Sequence, residues 1–194
     1  ELPLYKIESR DVVRIISRRN EVPSALAEIR ACLKESNGSN GKNMRNGANL
    51  SVVGFDTETR PSFKADRPQN KIALIQIAVS EKKVYLFMLN AICNGARLNI
   101  PSPLLSLLSD PNVLKVGVGV NGDEESIRAR EPRFRCNGSF VDIALIAKKK
   151  FPSLEKTGLR GLTASLLRKR LSKGQQMSNW NKRDYTEAQK RYAA

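Results

Sequence analysis

The chain contains no histidine. That absence excludes Ser–His–Asp and Cys–His catalysis, His-ligated zinc and any imidazole base. Whatever chemistry the chain performs falls to carboxylates, hydroxyls, phenols, amines or a metal held by oxygen. Cysteine is scarce too: Cys32, Cys93 and Cys136 lie far apart and form no C-x-x-C pair. An odd, scattered set excludes a disulfide framework and predicts free thiols in a reducing intracellular compartment, nucleus and mitochondrion fitting equally. A membrane-spanning helix needs about 18 consecutive apolar residues, and the longest run here, Ile72 to Val79, is short and interrupted by Gln76. The initiator methionine is missing as well, so the 194 residues are expected to be a processed or excised piece.

Acidic residues are in deficit: 34 Lys and Arg face 19 Asp and Glu, a net charge of +15. From Arg128 onward 17 basic residues meet five acids, so the last third carries +12 of that charge. Such an excess favours a polyanion, most simply nucleic acid, through phosphate neutralisation and counterion release. A lipid partner would call for a Lys-rich amphipathic helix with an aromatic face, and no segment offers one. The apolar share of 40% is ample for a buried core and excludes wholesale disorder.

Val12 to Ser17 reads as a strand, and Pro23 opens a helix to about Glu35. Ser36 to Asn49, rich in Gly, Asn and Ser, is expected to be a flexible loop. Residues 1–49 are thus read as an N-terminal strand–helix extension and loop, and 50–194 as the main domain. Strands are expected at Leu50–Asp56, Ile72–Val79 and Val84–Leu89, in antiparallel succession. A short leucine-rich helix at 104–108 and a strand at Val113–Val118 follow. Helices are expected near Asp123–Arg130, Val141–Lys150, Leu159–Arg170 and Tyr185–Ala194. This order predicts an α/β fold, a mixed sheet flanked by helices.

Three stretches carry the chemistry. In Ser51-Val-Val-Gly-Phe-Asp56-Thr-Glu58-Thr the strand alternation sends Asp56 and Glu58 to one side, about 7 Å apart. Two carboxylates at the end of a buried strand repel each other unless a cation lies between them. With oxygen donors alone, the matching ion is hard, Mg²⁺ or Mn²⁺; the bland alternative is an acidic strand end entering a turn. In Val116-Gly-Val-Gly-Val-Asn-Gly-Asp123 the glycines let the backbone pass close to the acidic strand, while Asp123 supplies a third carboxylate from a helix start. The same stretch matches the dinucleotide-binding G-x-G-x-x-G. That motif, however, should open its fold rather than follow several strands, and it leaves the acidic pair unexplained. The third stretch, Tyr185-Thr-Glu-Ala-Gln-Lys-Arg-Tyr192-Ala-Ala, forms a helix on which periodicity alone makes Tyr192 a core aromatic.

Together, F-D-T-E-T (55–59), V-G-V-G-V-N-G-D (116–123) and S-N-W…T-E-A-Q-K-R-Y-A-A (178–194) resemble the three motifs of the DEDD-superfamily 3′–5′ exonucleases, tyrosine subclass. Within that family the resemblance is to the exonuclease domain of the Werner-syndrome helicase and, more distantly, ribonuclease D. It implies a ribonuclease-H-like, five-stranded mixed sheet of three antiparallel and two parallel strands, and two divalent cations, Mg²⁺ or Mn²⁺. It also implies roles: Asp56 bridging both ions, Glu58 holding one and placing the attacking water, Asp123 reaching the second, and Tyr192 hydrogen-bonding the water. The implied activity is hydrolysis of RNA or DNA from a single-stranded 3′ end to nucleoside 5′-monophosphates. Trp180, Lys182 and Arg191 are the expected nucleic-acid contacts, Trp180 by stacking on a base unless it packs in the core. Asp142 is read as a helix-start residue, and Lys148–Lys150 and Arg168–Arg170 as phosphate tracks or dipole-complementing helix ends.

One departure stands out. The family's fourth metal-binding aspartate would fall at position 196, beyond Ala194, and truncation is the expected reason; a chain that ended at Ala194 should bind metal weakly. A rival reading keeps the fold as a catalytically weak RNA-binding module in a larger ribonucleoprotein, and a helicase assembly is a further expected setting.

Overall fold

The computed structural model describes residues 1–5, 13–39, 44–45, 48–62, 70–95, 98–136, 138–172 and 174–194, with the backbone alone for those between 37 and 49. Its centre is a six-stranded mixed sheet. The strands are β1 (Val13–Ile16), β4 (Ser51–Thr59), β5 (Ile72–Ser80), β6 (Lys83–Met88), β7 (Val113–Gly117) and β8 (Phe140–Asp142), in the order β1-β6-β5-β4-β7-β8. The pairs β6/β5 and β5/β4 are antiparallel, while β4/β7, β7/β8 and β1/β6 are parallel. A ribonuclease-H-like mixed sheet with flanking helices is thus present, with one strand more than expected because β1 joins the far edge beside β6.

The Ser36–Asn49 reading needs correction at both ends. Helix α1 (Val22–Ser39) runs past Glu35, and Met44–Arg45 and Ala48–Asn49 pair as a small hairpin, β2 and β3; residues 40–43 and 46–47 lie outside the described residues. The helix-forming stretch Ala25–Glu35 carries the turn onward, since each added residue closes one more bond once a helix is nucleated. The remaining helices are α2 (Leu89–Ile92), α3 (Ser102–Ser109), α4 (Val120–Arg130), α5 (Ile143–Lys150), α6 (Leu159–Leu167) and α7 (Glu187–Ala193).

Strand alternation divides the core into two layers. One face presents Val53, Phe55, Ile75, Ile77, Tyr85 and Phe87 to α1, α3 and α4. The other presents Leu74, Leu86 and Met88 to the C-terminal segment bearing Trp180, Tyr185 and Ala193. Asp56 and Glu58 belong to this second face, opposite Gln76 and Leu74 of β5. Lys115 is an unexpected buried cation, 1% exposed, at the β7–β8 seam. Its ammonium donates to Ser139 Oγ (2.5 Å) and the Asp110 carbonyl (3.0 Å) and lies over the Phe140 ring; burial lowers its pKa to about 8.

Candidate active site

Strand β4 outruns its parallel neighbour. β7 pairs with it only from Ser51 to Gly54, whereas β5 follows it to Thr59. Past Gly54 its β7 side faces the turn into α4, and a cleft of about 440 Å³ opens there, lined by Asp56, Thr57, Glu58, Gly119, Asp123 and Ser126 among others.

The close approach of the two segments has a steric cause. A Cβ on Gly117 would stand 2.4 Å from the Phe55 carbonyl oxygen and 2.7 Å from Val120 Cγ1, so only glycine permits this contact. Gly119 then takes a left-handed turn (φ +78°) as the residue before α4, and its N–H donates to Asp142 Oδ2 at 3.0 Å. Asp142 Oδ1 accepts from Ala144 N at 2.8 Å, which makes Asp142 the cap of α5. The turn sets Asp123 in the first turn of α4, where the helix dipole favours an acid.

Thr57 ties the acids together. Its backbone N–H donates to Asp56 Oδ1 (2.9 Å) and its hydroxyl to Asp123 Oδ1 (2.5 Å). Sequence reasoning passed over this residue; its place between two acids was the available signal. The three carboxylates feel one another. Partial desolvation, then the charge of Asp123, raises Asp56 from 3.8 to about 7 against the pull of the Thr57 N–H. Desolvation, then Asp56 and Asp123, raises Glu58 from 4.5 to about 8. Asp123 is raised too, mainly by burial. Among the described residues no three such groups lie close enough together to ligate a single ion. Oxygen donors of this kind suit hard cations such as Mg²⁺, which binds through one or two carboxylates and keeps several waters.

Tyr192 approaches from the other layer. Helix α7 starts with a capping box in which Thr186 Oγ1 accepts from Gln189 N (3.2 Å) and Gln189 Oε1 accepts from Thr186 N (3.1 Å). Gln189 also donates to Ser178 Oγ at 2.9 Å, docking the helix on the preceding loop. Half-buried Tyr192 lies against Trp180, ring centroids 5.9 Å apart. Burial, then Glu58 and Asp56, raises its phenol, while Arg160, another residue unmarked by the sequence, pulls it down. The phenol thus senses the same two acids.

Trp180 does not fill its expected role. It is wholly buried, edge-on to Tyr185 at 5.3 Å, and its carbonyl accepts from the Tyr185 hydroxyl at 2.7 Å. An indole with both faces packed has none left for a base, so Trp180 is a core residue. Lys182 and Arg191 are exposed, as nucleic-acid contacts need to be.

Residues 40–194 match a family described as 3′-5′ exonuclease. The mouse bifunctional 3′-5′ exonuclease/ATP-dependent helicase WRN is 36% identical over 146 residues, covering 74% of this chain and 10% of that protein. A 3′-5′ exonuclease of Arabidopsis thaliana is 30% identical over 156 residues, covering 77% of this chain and 50% of that protein. The chain spans between a tenth and a half of the length of the curated relatives it matches. Among solved structures, the Nibbler EXO domain of Aedes aegypti superimposes with a TM-score of 0.73 at 20% identity over 98% of this chain and 84% of that one, a likeness of fold. Sequence match and architecture agree with the motifs, and the chain belongs to the 3′-5′ exonuclease family.

Proposed function

We propose that the chain is a divalent-metal-dependent 3′-5′ exonuclease releasing nucleoside 5′-monophosphates from single-stranded ends of RNA or DNA. The observation that carries this reading is the tether at Thr57, one residue holding Asp56 and Asp123, carboxylates 67 positions apart in sequence, on a common cleft. Asp56, Glu58 and Asp123 would hold the ions. Bound there, a pair of divalent ions supplies an activated water and neutralises charge on the attacking and leaving oxygens. That an EXD2 exonuclease domain of similar fold has been studied in Mg²⁺ and Mn²⁺ soaks supports the choice of cation.

The protein's own groups do the rest. Carboxylates that repel each other gain most from cations, so the strain among them becomes metal affinity. The Tyr192 phenol, its pKa raised, stays protonated at neutral pH and keeps an O–H to orient a water or the terminal phosphate. Exposed Lys182 and Arg191 neutralise phosphates of the incoming strand. The match to WRN makes a larger helicase-type assembly the favoured setting.

The test is digestion of 5′-labelled RNA and DNA oligonucleotides with Mg²⁺, Mn²⁺ or EDTA. Stepwise shortening and released 5′-monophosphates are expected only with metal, and Asp56→Ala should abolish both. Undiminished cleavage by Asp56→Ala overturns the assignment.

A further inference from the structure

Gln76 is the one polar side chain in the run Ile72–Val79, and it is 9% exposed at the middle of β5. Its amide nitrogen is buried without a hydrogen-bond partner among the described residues. A buried donor left unpaired costs about 1–3 kcal/mol, and a Leu or Met there would continue the apolar run at no such cost. The packing of β5 therefore does not account for an amide at this position.

The register does. Gln76 lies directly across from Asp56 in the antiparallel β4–β5 ladder, on the same face of the sheet. Side chains so placed have Cβ atoms about 5 Å apart, a separation that a Gln amide and an Asp carboxylate can span. Among the described residues, the Thr57 N–H on Oδ1 is the only donor to that carboxylate. Among the described residues its other oxygen accepts no hydrogen bond.

We infer that Gln76 is a positioning residue for Asp56: its amide holds the second carboxylate oxygen and, with the Thr57 N–H, fixes the plane in which Asp56 presents itself to metal. This rests on the metal-dependent reading above. Outer hydrogen-bond partners of a ligand commonly tune metal affinity by 10- to 100-fold.

The experiment is Mn²⁺ binding, followed by electron paramagnetic resonance on the full-length protein, unmodified and as the Gln76→Met, Gln76→Leu and Asp56→Ala variants, with melting temperatures alongside. Gln76→Met keeps the length of the side chain and removes the donor. The expected result is Mn²⁺ affinity at least about tenfold weaker in both Gln76 variants, a lower kcat with unchanged KM for oligonucleotide, and melting no lower than that of the unmodified chain. Unchanged Mn²⁺ affinity overturns the inference, whether melting holds or falls; a fall would make Gln76 a purely structural residue. If the unmodified chain binds Mn²⁺ no better than Asp56→Ala does, the metal reading itself fails and this inference with it.

Discussion

Gly117→Ala is the sharpest probe of how the cleft is built. The added methyl would meet the Phe55 carbonyl oxygen at 2.4 Å and Val120 Cγ1 at 2.7 Å. The valine methyl can swing aside, but the carbonyl is backbone in the central strand, so β4 and the β7–α4 turn must separate by several tenths of an ångström. Overpacking of this kind typically costs about 1–3 kcal/mol, and a clash with backbone belongs at the upper end. For a chain of this size about 3 kcal/mol lowers the melting temperature by roughly 6–12 °C. The displaced turn carries Asp123 with it, and misplacement by about 1 Å can cost roughly 100-fold in rate. Gly122→Ala is the matched control: nothing lies within 4 Å of its Cβ, and it sits inside α4. There the same methyl should stabilise by about 0.5–1 kcal/mol, as alanine replaces glycine in a helix; because Gly122 itself lines the cleft, melting temperature is the readout on which it serves as control. Scanning calorimetry and a timed digestion of labelled oligonucleotide read both effects. A Gly117→Ala protein that melts and cuts like the unmodified chain would refute the reasoning outright.

Three further outcomes follow from the site. Because Asp56 and Glu58 are raised to about 7 and 8, the folded chain binds more protons than the unfolded one between about pH 4 and pH 8. Their contribution to stability is thus fully present below about pH 4, declines as pH rises and is gone once pH has passed through the folded values of about 7 and 8. In EDTA the melting temperature should fall across that window, more steeply than in Asp56→Asn/Glu58→Gln, and Mn²⁺ should restore more stability at pH 8 than at pH 5; equal slopes for both proteins would refute this. Buried Trp180 should resist acrylamide quenching and keep its emission when oligonucleotide binds, and Trp180→Ala should destabilise by about 3–5 kcal/mol. Lys182→Gln and Arg191→Gln should each weaken oligonucleotide binding regardless of sequence and reduce the slope of log K against log salt by up to about one; an unchanged slope removes that residue from the interface.

Much of this molecule was legible because local pattern and global packing agree. The alternation through Val53 and Phe55 announces β4, the apolar run Ile72–Val79 announces β5, and the glycines of Val116–Asp123 announce the contact made at Gly117. The failures are places where distant packing decides. β8 spans only Phe140–Asp142 and merges with the helical run behind it, so nothing within the segment separates strand from helix. Helix α1 was cut short because Asn and Gly weigh against a helix, yet the turn propagates to Ser39. Trp180 looked available for stacking because burial of a lone indole depends on Tyr185 and Tyr192 folding over it. The place of Thr57 between two acids hints at a role, but its contact is set in three dimensions, since its hydroxyl reaches 66 residues along the chain.

The outer margins of the sheet have a consequence for handling the protein at high concentration. Among the described residues its two border strands, β1 and β8, run for four and three residues, and β8 passes straight into a helix. Each offers a visiting chain only a brief ladder of unpaired amides and carbonyls, too little to template growth of a fibril. Combined with strong like-charge repulsion between molecules, this should keep concentrated solutions clear while leaving the acidic end of β4 open to its substrate.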